Sequence, residues 1–241
     1  MRKVAVILAG GKGARLAPYT AVLPKPLMPV GNLPIVDILV HQLVASGFRE
    51  LIFSIGHLGG LLEAYFNDHP LKSEGVSFEW VRENTPLGTT GAIALVKNLP
   101  ENFLVLNGDI LTTLDFGKMF DYHVDSGSIL TVASKNKQTR VQLGVLKYDG
   151  NTVTDYVEKP VLDYEVSMGV YAYNRGVLGY VDSGEPLDFP DLVLSLIRAG
   201  ETVRCFRSSD EWLDIGNIED FTEAQKVFSE SPEKYLPDKQ I

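Results

Sequence analysis

The chain of 241 residues has a single cysteine, Cys205, so no disulfide can form within it. Stability must come from an ordinary core, and 45% hydrophobic residues over this length can supply one. A lone cysteine also fits a reducing compartment. The neighbours of Cys205 read as a strand, so it is expected to be a buried, inert thiol. An excess of positive charge is lacking too. The net charge of -9 argues against a nucleic-acid partner held by general electrostatics. An acidic protein still binds phosphates where a few cations are local or a divalent metal is recruited. There is no transmembrane span and no secretory signal. The N-terminal apolar run is short and is followed by glycine, lysine and arginine, so a cytoplasmic location without a membrane partner is expected. The four histidines, His41, His57, His69 and His123, have no H-x-x-x-H spacing, and a zinc site is not expected. No serine-histidine-acid arrangement stands out. Internal repeats are absent, including the hexapeptide repeats of a parallel β-helix. No Pro/Ser-rich linker divides the chain. It therefore reads as one domain with two lobes over 1–228, followed by a polar, proline-broken tail, 229–241, expected to be loosely held.

What is present is concentrated near the start. Val4 to Ala9 is apolar, β-branched and too short for a good helix, and it reads as a buried strand. It breaks into Gly10-Gly11-Lys12-Gly13-Ala14-Arg15-Leu16. Glycines let the backbone approach a ligand closely and offer successive N–H groups, which suits phosphate. Two better-known glycine motifs fail here. A dinucleotide fingerprint needs a third glycine where Leu16 stands. A Walker loop needs Ser or Thr after its lysine, and Lys12 is followed by Gly13. By themselves the glycines are most simply a turn. Arg15 and the Pro24-Lys25-Pro26 clamp change that reading. The flanking prolines hold Lys25 on a stiff, non-helical segment, and a solvated lysine needs no such frame.

Further on, Leu33–Ser46 reads as a helix stopped by Gly47, Leu51–Ile55 as a strand and Gly59–Phe66 as a helix. Val76–Val81 is a strand, Thr89–Val96 a short helix, and Phe103–Leu106 a strand ending at Asn107-Gly108-Asp109. This alternation predicts a mostly parallel sheet covered on both faces. In such sheets ligands gather at the carboxyl ends of the strands, where the glycine loop and Asp109 both fall. The second half is richer in strands: Ile129–Ser134, Gln142–Lys147, Val153–Glu158 and Ser167–Tyr173. Tyr148-Asp149-Gly150-Asn151 reads as a hairpin turn. Helices return at Phe189–Arg198 and Ile218–Phe228. Asp109 and Asp214, the latter in Trp212-Leu213-Asp214-Ile215-Gly216, each end an apolar patch. Singly, each is a turn or cap residue. With a phosphate loop beside them they suggest a carboxylate pair for Mg²⁺, which commonly takes one or two carboxylates plus phosphate oxygens and waters.

The combination L-x-x-G-x-G-x-R-L (Leu8 to Leu16) with P-K-P (Pro24 to Pro26) resembles the sugar-1-phosphate nucleotidylyltransferases, or NDP-sugar pyrophosphorylases. The resemblance covers nearly the whole chain apart from the tail. It implies an α/β, Rossmann-like three-layer nucleotidyltransferase fold, with a mostly parallel mixed central sheet and a smaller sugar-binding lobe. The nucleotide-binding half would be about 1–110 and the sugar-binding half about 111–228. It also implies an Mg²⁺-dependent reaction of a nucleoside triphosphate with a sugar 1-phosphate, giving an NDP-sugar and pyrophosphate. Nucleotide binding would fall to Leu8, Ala9, Gly10, Gly11, Gly13, Arg15, Pro86, Gly88 and Thr89. Asp109 and Asp214 would hold the metal. Arg15, Lys25 and Asp109 would carry catalysis, Lys25 on the α-phosphate or the sugar phosphate. Gly144, Glu158, Lys159, Ser167 and Gly169 would meet the sugar phosphate. Ser167 stands where the family usually has asparagine, and a hydroxyl does not reach as an amide does. L-G-T-x-G-A, here Leu87 to Ala92, is closer to the mannose-1-phosphate guanylyltransferase branch than to the thymidylyl branch. GTP with a manno-configured sugar phosphate is therefore the first expectation. Uridylyl, thymidylyl, cytidylyl or adenylyl transfer to glucose 1-phosphate or another hexose 1-phosphate is the alternative. A metal-dependent glycosyltransferase would need the missing D-x-D motif, and a non-catalytic nucleotide-sugar sensor would not need Arg15, Lys25 and both aspartates. Family members are often oligomers, and a homodimer is compatible with the chain.

Overall fold

The computed structural model describes residues 1–83 and 85–236; the last five residues of the predicted tail lie outside this range. The first half lays down β1 (Val4–Ala9), a two-residue ladder of β2 (Pro29–Val30) with β3 (Leu33–Pro34), then α1 (Ile35–Ala45), β4 (Glu50–Ile55), α2 (Gly59–Asn67) and β5 (Ser77–Arg82). It continues through α3 (Gly88–Gly91), β6 (Asn102–Asn107), β7 (Ile110–Thr112) and α4 (Phe116–Ser126). The second half holds β8 (Leu130–Arg140), β9 (Val145–Asp149), β10 (Thr152–Val157), β11 (Val161–Asn174), α5 (Phe189–Arg198), β12 (Val203–Ser208), β13 (Trp212–Asp214) and α6 (Ile218–Glu230).

Seven strands form one sheet in the order β12-β8-β11-β6-β1-β4-β5. β1 runs parallel to β4 and β6, and β4 parallel to β5. β12 is parallel to β8, whereas β11 is antiparallel to both of its neighbours. The central strands β1, β4 and β6 are buried on both faces, and their alternate residues face opposite layers. Ala5, Ile7 and Ala9 of β1 join Phe53, Leu104 and Leu106 under Val36, Leu39, Leu43, Leu62, Phe116 and Phe120 of α1, α2 and α4. Val4 and Val6 join Phe103, Val105, Tyr171 and Tyr173 against Leu192 and Leu196 of α5. A third cluster gathers Leu16, Met28, Ile38, Leu111, Ile215, Ala224 and Phe228. It ties the turn after the glycine loop to β7, β13 and α6.

Several elements depart from the sequence reading for visible reasons. The segment expected as one helix over 89–96 is split into α3 and a 3-10 turn, Ala92–Leu95. Thr90 and Gly91 donate their N–H groups to the Leu187 carbonyl at 3.0 and 3.1 Å, so these amides serve the chain before α5. Helix α4 was not foreseen. Its signals are present: Asp115 caps it by accepting from the Lys118 N–H at 2.9 Å, and Phe116, Met119 and Phe120 share its buried face. β8 and β11 outrun the expected strands as a long antiparallel ribbon that continues beyond the core, to Arg140 opposite Val161. The hairpin turn is where expected, with Asp149 paired to Thr152 and Gly150 at φ 55°. Cys205 is exposed, not buried, because β12 is the edge strand and pairs only with β8. The start of the tail is not loose either. Tyr235 and Leu236 are buried in the third cluster, and the Tyr235 carbonyl accepts from Gln42 Nε2 at 2.8 Å.

His123 on α4 is 1% exposed and its Nδ1 lies 2.8 Å from Thr131 Oγ1. Burial pushes its pKa down to about 4. Between that value and the ordinary one near 6.5 the unfolded chain binds a proton that the native state does not. Native stability therefore falls as pH falls through this window, by up to about 1.4 kcal/mol per pH unit from this group. Urea titrations of wild type and His123→Gln from pH 7 to pH 4 should show a shallower acid slope in the variant.

Candidate active site

The parallel registers bring the ends of four strands to one edge: Ala9 beside Ile55, Ile55 beside Arg82, and Leu8 beside Asn107. Of the residues that follow, Gly10, Gly56 and Glu83 line a cleft, as does Asn107 at the end of β6. Glycine is required where two of these turns meet. A Cβ on Gly56 would lie 2.8 Å from the Gly10 carbonyl oxygen, with backbone on both sides. The cleft encloses about 650 Å³. Leu8, Gly10, Gly11 and Lys12 line one wall, and Asn107 and Asp109 lie at the next strand end. Pro86, Gly88, Thr89 and Asp188 line the far side, with Gly56, His57 and Glu83 between.

Gly13 stands at φ 61° and starts a 3-10 turn, Ala14–Leu16, whose Leu16 is buried in the third cluster. The turn leaves Arg15 outside the cleft lining. Its two terminal nitrogens would be 3.4 Å from a Cβ on Gly216, so the bare face of Gly216 accommodates the guanidinium beside Asp214. Lys25 begins another 3-10 turn, with Pro24 extended at φ -63° before it and Pro26 buried after it. Its Nζ pairs with Asp109 Oδ2, and both side chains are largely shielded, at 12% and 21% exposure.

The two aspartates, far apart in sequence, are joined by the short ladder of β7 with β13, in which Asp214 faces Ile110. The Ile215 N–H donates to the Asp109 carbonyl at 3.2 Å. Asp214 keeps an open face to solvent, yet crowding by protein raises its pKa, and the Asp109 charge raises it further. Lys25 and Arg15 oppose both effects. Asp214, its ionisation opposed by a neighbouring carboxylate, stands beside Asp109 at the edge of the cleft, and paired carboxylates are the oxygen donors a hard divalent cation takes.

The far wall is locked across the chain. Gly88, at φ 73°, has no room for a side chain: a Cβ would lie 2.5 Å from Asp188 Oδ1 and 2.7 Å from the Leu187 carbonyl oxygen. Thr89 caps a helix, but not its own. Its hydroxyl accepts from the Phe189 N–H at 2.9 Å at the start of α5, while its N–H donates to Asp188 Oδ1 at 3.3 Å.

The residues assigned to the sugar side stand apart from the cleft lining. Gly144, Glu158 and Lys159 belong to the β9–β10 hairpin and its flanks. Tyr156 lies over Gly144 and donates to Glu158 Oε2 at 2.8 Å. Lys159 holds φ 46°, a left-handed conformation rare for a side-chain-bearing residue, and its Nζ is 3.8 Å from Glu158 Oε1. Ser167 and Gly169 sit in a bulge of β11, where pairing with β8 slips between Ser167 and Tyr171. The Ser167 hydroxyl accepts from the Gly169 N–H and donates to the Tyr171 hydroxyl, each at 3.3 Å. Gly169, at φ 72°, lets this bulge approach Asn107, whose Nδ2 would be 2.7 Å from a Cβ there. The bulge thus packs against Asn107, a residue of the cleft lining.

Of the nucleotide-side residues read from sequence, Leu8, Gly10, Gly11, Pro86, Gly88 and Thr89 line the cleft, Ala9 is buried in β1, and Gly13 and Arg15 lie outside the lining; of the residues read as catalytic or metal-binding, Asp109 lines the cleft, and Lys25 and Asp214 do not. Lys12, Gly56, His57, Glu83, Asn107 and Asp188 were missed. The sequence held a signal for Glu83: it follows a strand of the same parallel set, so it must emerge at the same edge. Its carboxylate is fixed by the Ser54 hydroxyl at 2.7 Å and by the Leu87 N–H at 3.2 Å. Asp188 gave no such signal, since only the docking of α5 against α3 carries it there.

Comparison with known proteins gives relatives of this chain by sequence and by fold. The nucleotidyl transferase family model matches residues 4–231. The chain is 30% identical to a UTP–glucose-1-phosphate uridylyltransferase of Synechocystis, over 91% of this chain and 62% of that protein. It is 31% identical to a D-glycero-alpha-D-manno-heptose 1-phosphate guanylyltransferase of Aneurinibacillus thermoaerophilus, over 92% of this chain and 96% of that one. The solved structure of HddC from Yersinia pseudotuberculosis superposes with a TM-score of 0.71 at 27% identity, covering 95% of this chain and 100% of that one. A second structure of HddC is a complex with GMP-PN. Among the described residues no helix is long and apolar enough to cross a membrane.

Proposed function

Because the chain belongs to the nucleotidyl transferase family, we propose that it transfers a nucleotidyl group from a nucleoside triphosphate to a sugar 1-phosphate, releasing pyrophosphate. GTP and a manno-configured sugar 1-phosphate, mannose or a heptose, are the proposed substrates. The observation that carries this reading is a cleft lined by the glycine loop and Asp109, with Lys25 paired to that aspartate and Asp214 tied to it through the β7–β13 ladder.

The attacking group is the phosphate of the sugar. Its second pKa is about 6, as for other phosphate monoesters, so it is largely ionised at neutral pH. No side chain need remove a proton. Catalysis then rests on holding the two phosphates in line and on neutralising charge. The backbone of Gly10 to Gly13 would cradle the triphosphate. Lys25 would contact the reacting phosphates from a position fixed by its prolines and by Asp109. Arg15 would meet the departing pyrophosphate. Asp109 and Asp214 would hold Mg²⁺, which supplies charge neutralisation across the phosphate oxygens. Glu158 and Lys159 would close on the sugar phosphate from the hairpin.

Glu83 supports guanine. Guanine offers N1–H and N2–H₂ side by side, and a fixed carboxylate accepts from both. Uracil and thymine offer one N–H between two carbonyl oxygens, which a carboxylate repels. The guanylyltransferase relative and the GMP-PN complex of HddC point the same way. The Synechocystis relative favours a second reading, UTP with glucose 1-phosphate. Pyrophosphate release in the presence of Mg²⁺, measured over a grid of five triphosphates and several sugar 1-phosphates, separates the two. The expected signal is confined to GTP with mannose 1-phosphate or a manno-heptose 1-phosphate. A signal confined to UTP with glucose 1-phosphate overturns the choice of substrates, and silence across the grid overturns the transferase reading.

A further inference from the structure

Asp37, His41 and His69 are brought together in a second surface cleft that shares no residue with the first. Asp37 and His41 stand one turn apart on α1, which puts them on the same helix face. His69 arrives from the turn after α2. The linear sequence separates the two histidines by 28 positions, so no ligand spacing was visible in it. One donor atom from each residue lies within 4.8 Å of the others. Asp37 Oδ1 is 3.0 Å from His69 Nε2 and 3.6 Å from His41 Nε2. A tetrahedral ion bonded at about 2.0–2.1 Å spaces neighbouring donors about 3.3 Å apart, between those two values.

We propose that Asp37, His41 and His69 form a binding site for a transition-metal ion of the Zn²⁺ class. The Asp37 carboxylate is only 2% exposed, and among the described residues its charge partners are these two imidazoles, with no lysine or arginine. A buried carboxylate without a cation is costly, and a divalent ion meets that need. The carboxylate is also held from behind: Tyr65 donates its hydroxyl to Asp37 Oδ2 at 2.7 Å, leaving Oδ1 turned to the histidines. Such a supporting hydrogen bond is what orients a ligating carboxylate. The cleft is open to solvent, and Asp68 and Glu74 on its wall offer a further carboxylate beside water for the remaining position.

The donor set separates this site from the carboxylate pair of the active site. Two imidazoles and one carboxylate suit zinc, copper or nickel, whereas Mg²⁺ prefers oxygen donors alone. Binding has one identifiable cost. In the metal-free protein the His69 Nδ1 accepts from the Leu71 N–H at 3.4 Å, so the ring proton faces Asp37 from Nε2. With Nε2 on the ion, that proton moves to Nδ1 and the long Leu71 contact opens. The ion would tie α1 to the turn after α2, and so brace the helix that follows the Lys25 turn.

The test uses the full chain, stripped with chelator and then given Zn²⁺ or Co²⁺ in a large excess of Mg²⁺. Uptake of one ion per chain with a raised melting temperature is expected. Both should persist in the Asp109→Asn/Asp214→Asn double variant and vanish in His41→Gln and His69→Gln. The visible spectrum of the Co²⁺ form of the wild type provides a check that needs no variant to fold. Intense tetrahedral bands support the site, and the weak bands of an all-oxygen octahedral ion overturn it. No uptake by the wild type, or uptake that survives both histidine variants, also overturns it.

Discussion

Asp109→Asn is expected to reduce turnover by about three orders of magnitude, with a much smaller change in KM, the scale of loss seen when a charge-stabilising group is removed from a transition state. The structure gives two reasons for so large an effect. Asp109 is one of the two carboxylates joined across β7 and β13, so a divalent cation would lose a charged ligand. It is also the ion-pair partner of Lys25. With the carboxylate gone, the ammonium loses the contact that aims it and is free to pair elsewhere, for example with Asp214. The variant should fold. Asparagine is nearly isosteric, and the strand pairing here uses the Asp109 carbonyl and not its side chain. Relief from the Asp109 charge should also let the Asp214 pKa fall toward its ordinary value. Steady-state pyrophosphate release, with a thermal melt as control, measures the effect. A loss smaller than about tenfold in a folded variant would be worth less than about 1.4 kcal/mol, and would remove Asp109 from the catalytic set.

Arg15→Ala is expected to lower kcat by about 10²–10³-fold while leaving KM for the sugar 1-phosphate within a few-fold, because a group that meets the leaving pyrophosphate acts mainly as charge develops. The guanidinium lies at the surface against Gly216, so its removal leaves no cavity in the core. Arg15→Lys should rescue only part of the loss. The planar fork that contacts two phosphate oxygens at once is replaced by a single ammonium. A kcat near wild type in Arg15→Ala would refute the role. An equal loss in sugar 1-phosphate binding would move Arg15 to the sugar side.

Much of this molecule could be read without coordinates. Val4 to Ala9 is β-branched and ends in glycine, and that local chemistry alone gives a strand followed by a close-approach turn. The strand–helix alternation of the first half gives a parallel sheet, and a parallel sheet gathers its strand ends, and so its ligand site, at one edge. Prolines around Lys25 announce a rigid lysine because their effect on φ is local. These are short-range signals, and the sequence determined them.

Tertiary structure decided where long-range pairing competes with local preference. Thr89 has the look of a cap for its own helix and instead caps α5, a hundred residues later in the chain. Cys205 lies in a strand-like segment, but only the sheet order reveals that this strand is an edge. Tyr235 and Leu236 follow a polar stretch and are drawn inward because they complete the apolar cluster that Ala224 and Phe228 of α6 build with Leu16, Met28 and Ile38. The aspartate pair depends on a three-residue ladder between β7 and β13, and the Asp37–His41–His69 cluster on α2 packing beside α1. Contacts of that kind join residues through the excluded volume of the core. No periodicity along the chain encodes them, and they arise only once the sheet has set the distances.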